Sequence, residues 1–190
     1  MAELLPSEKN IYIMGFMGCG KTTIGSLLAR KLQRPFNDTD SIIEKKTELS
    51  ISQIFNYYGE ARFRALEKQV ISELCHLKKQ VIALGGGAVL SSENWNRISS
   101  TGFTVTLSYP PEIIASRLKS DVNRPLLSIR NSEDKLKKIK ELMKKRTPYY
   151  RKADFYLHSD SSLEASEIVD KIISHLTSNM GLLTDEQGKS

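Results

Sequence analysis

Two spacings of apolar residues alternate along this chain. Short β-rich runs, Asn10 to Met14, Gln80 to Leu84, Phe103 to Leu107 and Asp154 to Leu157, have the length and composition of strands in a buried sheet. Arg34 to Asp38 reads as a further short strand, ending in acidic residues. Between the runs, apolar positions recur every three or four residues, as in Ile24, Leu27, Leu28 and Leu32, or Phe63, Leu66, Val70, Ile71 and Leu74. That is the stripe of a helix facing a core. Further helices are predicted to begin near Ile42, to run over 93–99, to start at Pro110 or Pro111 and end at Leu118, to span 133–147, and to follow a cap at Ser161 to Glu164. Ser50 and Gln53 form a capping box, and Gly59 interrupts the helix it opens before a long helix over 60–78. Strands alternating with helices imply an α/β fold on a parallel sheet, with ligands gathered outside the strand C-termini.

Composition narrows the class. The chain's 190 residues suffice for one α/β domain and are too few for two. A single domain over residues 1–178 is expected, with 179–190 as a disordered tail. No stretch approaches the roughly 18 apolar residues of a membrane span, and Met1 to Pro6 lacks the basic and apolar regions of a signal peptide. A cytoplasmic monomer without a membrane partner is therefore expected, and two cysteines, Cys19 and Cys75, fit a reducing compartment. Lys and Arg number 28 against 22 Asp and Glu, a net charge of +6 that suits anionic ligands. The densest basic run, Lys135 to Arg146, carries Leu136, Ile139, Leu142 and Met143 at helical spacing, so it reads as a solvated helix face, and no nucleic-acid partner is expected.

Phosphate chemistry enters between the first strand and the first helix. Gly15-Phe16-Met17-Gly18-Cys19-Gly20-Lys21-Thr22 has the P-loop spacing of glycines followed by lysine and a hydroxyl. Such a loop turns successive N–H groups onto phosphate oxygens and needs glycine where a Cβ would clash or φ is positive. Gly15, Gly18, Cys19, Gly20, Lys21, Thr22 and Thr23 are the expected ATP-binding set, with Lys21 supplying charge at the β/γ oxygens and Thr22 a ligand for Mg2+. Cys19 is either a small tolerated side chain or a redox-sensitive thiolate favoured by the helix N-terminus.

Three further constellations follow strand ends: Asp38-Thr39-Asp40, Arg64 with Glu67 one turn later, and Gly85-Gly86-Gly87. Taken singly, each has a bland reading, as a helix cap, a surface ion pair and a turn. No Walker B aspartate closes the strand before the glycines, which leaves Asp38 as the main magnesium candidate.

With these motifs the chain resembles shikimate kinases from about residue 9 to 177. The resemblance is carried by Gly15 to Thr22, Phe36 to Asp40 with Ile43-Glu44, Gly59 to Arg64 with Glu67, Leu84 to Val89, Arg117 through Arg124-Pro125-Leu126-Leu127, and Arg146-Thr147-Pro148-Tyr149-Tyr150-Arg151. It implies a P-loop, nucleoside-monophosphate-kinase-like three-layer α/β fold with a five-stranded parallel sheet and a lid over 120–130. The implied reaction is ATP-dependent phosphorylation of the 3-hydroxyl of shikimate, on the route to aromatic amino acids. By the same resemblance Asp40, Arg64 and Arg151, with the backbone of Gly86 and Gly87, hold shikimate; Asp38 lies near Mg2+; Arg117 packs on adenine; and Arg124 is the lid arginine. Lys21, Asp40 and Arg124 are the expected catalytic residues. Their chemistry suits the task, since guanidinium forks match a carboxylate and Asp40 can accept a hydroxyl proton. Two other readings stay open: a small-metabolite kinase of the same fold, such as a gluconate kinase, and a nucleotide-switched binding module.

Overall fold

Every run read as a strand joins one sheet. In a computed structural model, which describes residues 8–118, 131–160 and 162–185 and the side chains of these except 132 and 179–185, five strands pair in parallel. They are β1 (Asn10–Gly15), β2 (Phe36–Asp38), β3 (Val81–Ala83), β4 (Gly102–Ser108) and β5 (Phe155–His158), in the spatial order β2-β3-β1-β4-β5. The expected five-stranded parallel sheet is present.

β1 sits at the centre and is buried along its whole length, with Ile13 opposite Ala83 of β3 on one side and Val105 of β4 on the other. A strand enclosed in this way must be apolar on both faces, and its sequence is. Helices supply the cover: α1 (Lys21–Leu32) packs on α7 (Ala165–Asp185), and α3 (Ile51–Cys75) on α4 (Ser92–Thr101). α2 (Thr39–Thr47) leaves the end of β2, while α5 (Pro111–Arg117) packs on α6 (Ser132–Tyr150).

Several boundaries differ from the sequence reading, for identifiable reasons. β2 begins at Phe36, not Arg34: Pro35 still accepts a hydrogen bond from Val81 through its carbonyl at 2.9 Å but has no N–H for the ladder. The helices on either side of Gly59 form one element with a kink, because Gly59 alone leaves helical angles, at φ 76° and ψ 174°. α6 passes through Pro148 to Tyr150, beyond the expected stop at 147; a proline in the last turn removes one bond while Tyr150 beyond it is buried. α7 continues to Asp185, past the residue 178 at which the sequence reading ends the domain. The expected lid over 120–130, with Arg124, lies outside the described residues.

Candidate active site

β1 runs directly into the glycine loop and the loop into α1. Gly15, Gly18 and Gly20 have φ of 142°, 77° and 85°, values that L side chains resist. A Cβ on Gly15 would lie 2.3 Å from the carbonyl oxygen of Leu107 in β4, so the loop is pressed against the sheet as well as strained. Lys21 Nζ donates to the carbonyl oxygens of Gly15 and Phe16, both at 3.1 Å, which folds its charge back over the loop. Thr22 and Thr23 are exposed in the first turn of α1, where the N–H groups and the helix dipole favour an anion. Arg117, at the end of α5, lies over the ring of Tyr109 at 4.2 Å and reaches the Gly18 carbonyl at 3.5 Å.

The Cys19 side chain turns inward. It is 1% exposed, and burial pushes its thiol pKa up, against the opposing charge of Lys21. Burial of the side chain favours the reading of Cys19 as a small tolerated residue over that of a thiolate.

Asp38 is a helix cap and also reaches the phosphate loop. Its Oδ1 caps α2 by accepting the N–H groups of Asp40 at 3.0 Å and Ser41 at 3.3 Å, while Oδ2 accepts the Thr22 hydroxyl at 2.6 Å. Asp40 stands one residue into α2, and Thr39 beside it accepts the Gly85 N–H at 2.8 Å. α2 is thereby tied to the glycine run that follows β3.

Each glycine of that run has a different neighbour where a Cβ would go. On Gly85 it would lie 2.7 Å from both Asp40 Oδ1 and Glu67 Oε1, on Gly86 3.4 Å from the N of Met17, and on Gly87 2.5 Å from Arg64. The run is more than a turn. It is where α2, α3, the phosphate loop and α6 meet.

Arg64 and Glu67 are likewise no ordinary surface pair. Arg64 donates to Glu67 Oε2 at 2.7 Å and to Glu60 Oε1 at 3.0 Å, and Glu67 is 1% exposed. Burial raises the Glu67 pKa, with Arg64 opposing; burial would lower that of Arg64, but Glu67 and Glu60 more than offset it. A cavity of about 540 Å³ is lined here by Arg64, Glu67, Gly87, Asn94 and Arg146, among others.

Arg146, which the sequence reading did not single out, lines this cavity, whereas Arg151 does not. Arg146 is 6% exposed, donates to the Gly86 carbonyl at 3.3 Å and lies over the Phe16 ring of the phosphate loop at 5.4 Å. Arg151 instead lines a separate cavity with Ser108, Lys140 and Tyr156. Because α6 continues unbroken past Pro148, these two arginines, about 1.4 helical turns apart, face different ways. A signal was available: Ile139, Leu142, Met143, Arg146 and Tyr150 follow one another at helical spacing, which puts the arginine on the apolar stripe.

A P-loop on the central strand, facing a carboxylate-bearing pocket with two arginines, is the layout of a small-molecule kinase. The shikimate kinase family profile matches residues 17–177. A curated shikimate kinase from Thermodesulfovibrio yellowstonii is 46% identical over 165 residues, which is 87% of this chain and 93% of the relative. The solved structure of a shikimate kinase from Acinetobacter baumannii in complex with shikimate superposes with a TM-score of 0.84 at 40% identity, covering 90% of this chain and 94% of that one. The chain belongs to the shikimate kinase family. A gluconokinase from Sinorhizobium meliloti, at 17% identity and a TM-score of 0.56, with 94% of this chain and 97% of that one covered, shares the fold alone.

Proposed function

We propose that this chain, as a shikimate kinase, transfers the γ-phosphoryl group of ATP to the 3-hydroxyl of shikimate. The observation that carries this reading is the contact between the two half-sites at Gly86, which packs on the phosphate loop and accepts a hydrogen bond from Arg146. Donor and acceptor bound on either side of such a contact are held at one distance, and phosphoryl transfer asks mainly for alignment and neutralised charge.

The roles then divide as follows. The loop amides and Lys21 hold the phosphates, and Arg117 packs on the base. Arg64 and Arg146 clamp the shikimate carboxylate, with Arg146 taking the part that the resemblance gives to Arg151. Gly86 and Gly87 offer backbone donors, and Asp40 accepts the proton of the attacking hydroxyl. Arg124 is assigned to the developing charge by resemblance alone.

For Mg2+, the fitting observation is the pair of hard oxygens, Thr22 Oγ1 and Asp38 Oδ2, 2.6 Å apart beside the loop. Few protein ligands, with phosphate and water oxygens completing the set, is the usual arrangement for this ion. When bound it would neutralise charge on the transferred group. We include a cytoplasmic monomer in the proposal; no helix among the described residues is long and apolar enough to cross a membrane.

A coupled ADP-release assay with shikimate, gluconate and AMP as acceptors tests the reading. Shikimate-dependent ADP release, with gluconate and AMP at background, is the expected result. Turnover with gluconate or AMP and none with shikimate overturns it.

A further inference from the structure

Tyr150 has no part in that division of roles, yet it is buried in the last turn of α6 beside the site. Its hydroxyl donates to the Gly86 carbonyl at 2.6 Å, the same oxygen that accepts from Arg146 at 3.3 Å. Burial raises the pKa of the phenol, so the group stays a neutral donor. The Gly86 carbonyl and the Gly87 N–H belong to one planar trans peptide and point in opposite directions. Pinning the carbonyl therefore aims the N–H. Among the described residues the Gly87 N–H meets no backbone acceptor, and Gly87 lines the cavity shared by Arg64 and Arg146.

We propose that Tyr150 is a positioning residue for the acceptor: through the Gly86 carbonyl it turns the Gly87 N–H toward shikimate and holds the glycine run against the phosphate loop. The inference rests on the acceptor assignment made above. Three successive glycines have little conformational preference of their own, so their peptide planes need an external partner. Arg146 makes the longer bond to that carbonyl and is also committed to the acceptor. The tyrosine hydroxyl, shorter and buried, is the dedicated partner.

Tyr150→Phe deletes the bond and keeps the ring. The expected result is a rise of about tenfold in KM for shikimate, the scale of one lost hydrogen bond, with KM for ATP within about twofold of wild type. A second measurement uses the fact that the chain contains only two Gly-Gly peptide bonds, 85–86 and 86–87. Protein made with glycine carrying carbonyl 13C and amide 15N gives two carbonyl-correlated amide signals, one for each. In wild type the 86–87 signal should move when shikimate is added, and in Tyr150→Phe this response should be weakened or lost.

A variant with wild-type KM for shikimate and an unchanged Gly-Gly response overturns the proposal, even if its Tm falls, because the bond is then merely structural. If Tyr150→Phe does not fold, an 86–87 amide in the wild type that ignores shikimate overturns it equally. Wild type that phosphorylates shikimate and loses affinity for it in Arg64→Ala keeps the acceptor assignment standing whatever Tyr150→Phe does. No shikimate turnover in wild type strikes that assignment and this inference together.

Discussion

Glu67 holds Arg64 with Oε2, while its buried Oε1 has no hydrogen-bond partner among the described residues and faces Gly85 beside Asp40. Its pKa is raised in the fold, first by burial, from an ordinary value of 4.5. The folded state thus holds this proton more tightly than the unfolded chain. The resulting stability is fully present below pH 4.5 and is lost as pH rises through the raised folded value. Glu67→Gln removes the titration at equal shape. The Tm of Glu67→Gln minus that of wild type should therefore increase with pH above about 4.5 in parallel thermal melts. A difference that stays flat would mean that Arg64 fully compensates for burial.

The arginines give a second test at the same scale. Arg64→Ala and Arg146→Ala should each raise KM for shikimate by about thirtyfold or more, the consequence of removing one member of a buried charged contact. Arg151→Ala should leave it within about threefold, since solvent-facing charges contribute little. Steady-state kinetics on the three variants decide, and the opposite ranking would return Arg151 to the site. Arg64 was legible because Glu67 and the glycines flag it. Arg146 was hidden at the end of a basic run whose other members face water, where charge density masks position on the helix.

Among the elements, α3 is bent by one residue. Gly59 has positive φ with ψ near 180°, a combination that glycine alone populates, and a Cβ there would meet nothing within 4 Å. The penalty for a side chain is therefore purely one of backbone conformation. Gly59→Ala is expected to lower unfolding free energy by about 1–3 kcal/mol in urea titrations. A neutral effect would show that α3 straightens without loss.

The sequence announced this break correctly, and the Ser50–Gln53 capping box forms with both of its bonds. Strand centres were also legible, because burial on both faces leaves a continuous apolar signature. Ends were less so. β2 is trimmed by Pro35, and α6 outlasts Pro148 because the tertiary contact of Tyr150 offsets one missing bond, which no local pattern reveals.

For the molecule as a whole, the alternation of runs and stripes was enough to give the parallel sheet and the edge where the site would form. Which side chains converge there was not, since it depends on helix phase across elements far apart in sequence. Asp40 comes from α2, Glu67 from α3 and Gly85 from the loop after β3, and only the fold brings their atoms together around one Cα.

The central strand has one more consequence, for the order in which the molecule can be made. β1 leaves the ribosome first, but its neighbours are Val81 to Ala83 and Gly102 to Leu107, so it waits for most of a hundred residues before it has a partner on both sides. Gly15 closes against the Leu107 carbonyl. The phosphate loop, although complete as a peptide after Thr22, therefore takes its working shape only after β4 has been synthesised. Contacts of such long sequence separation slow folding and expose apolar strands in the meantime.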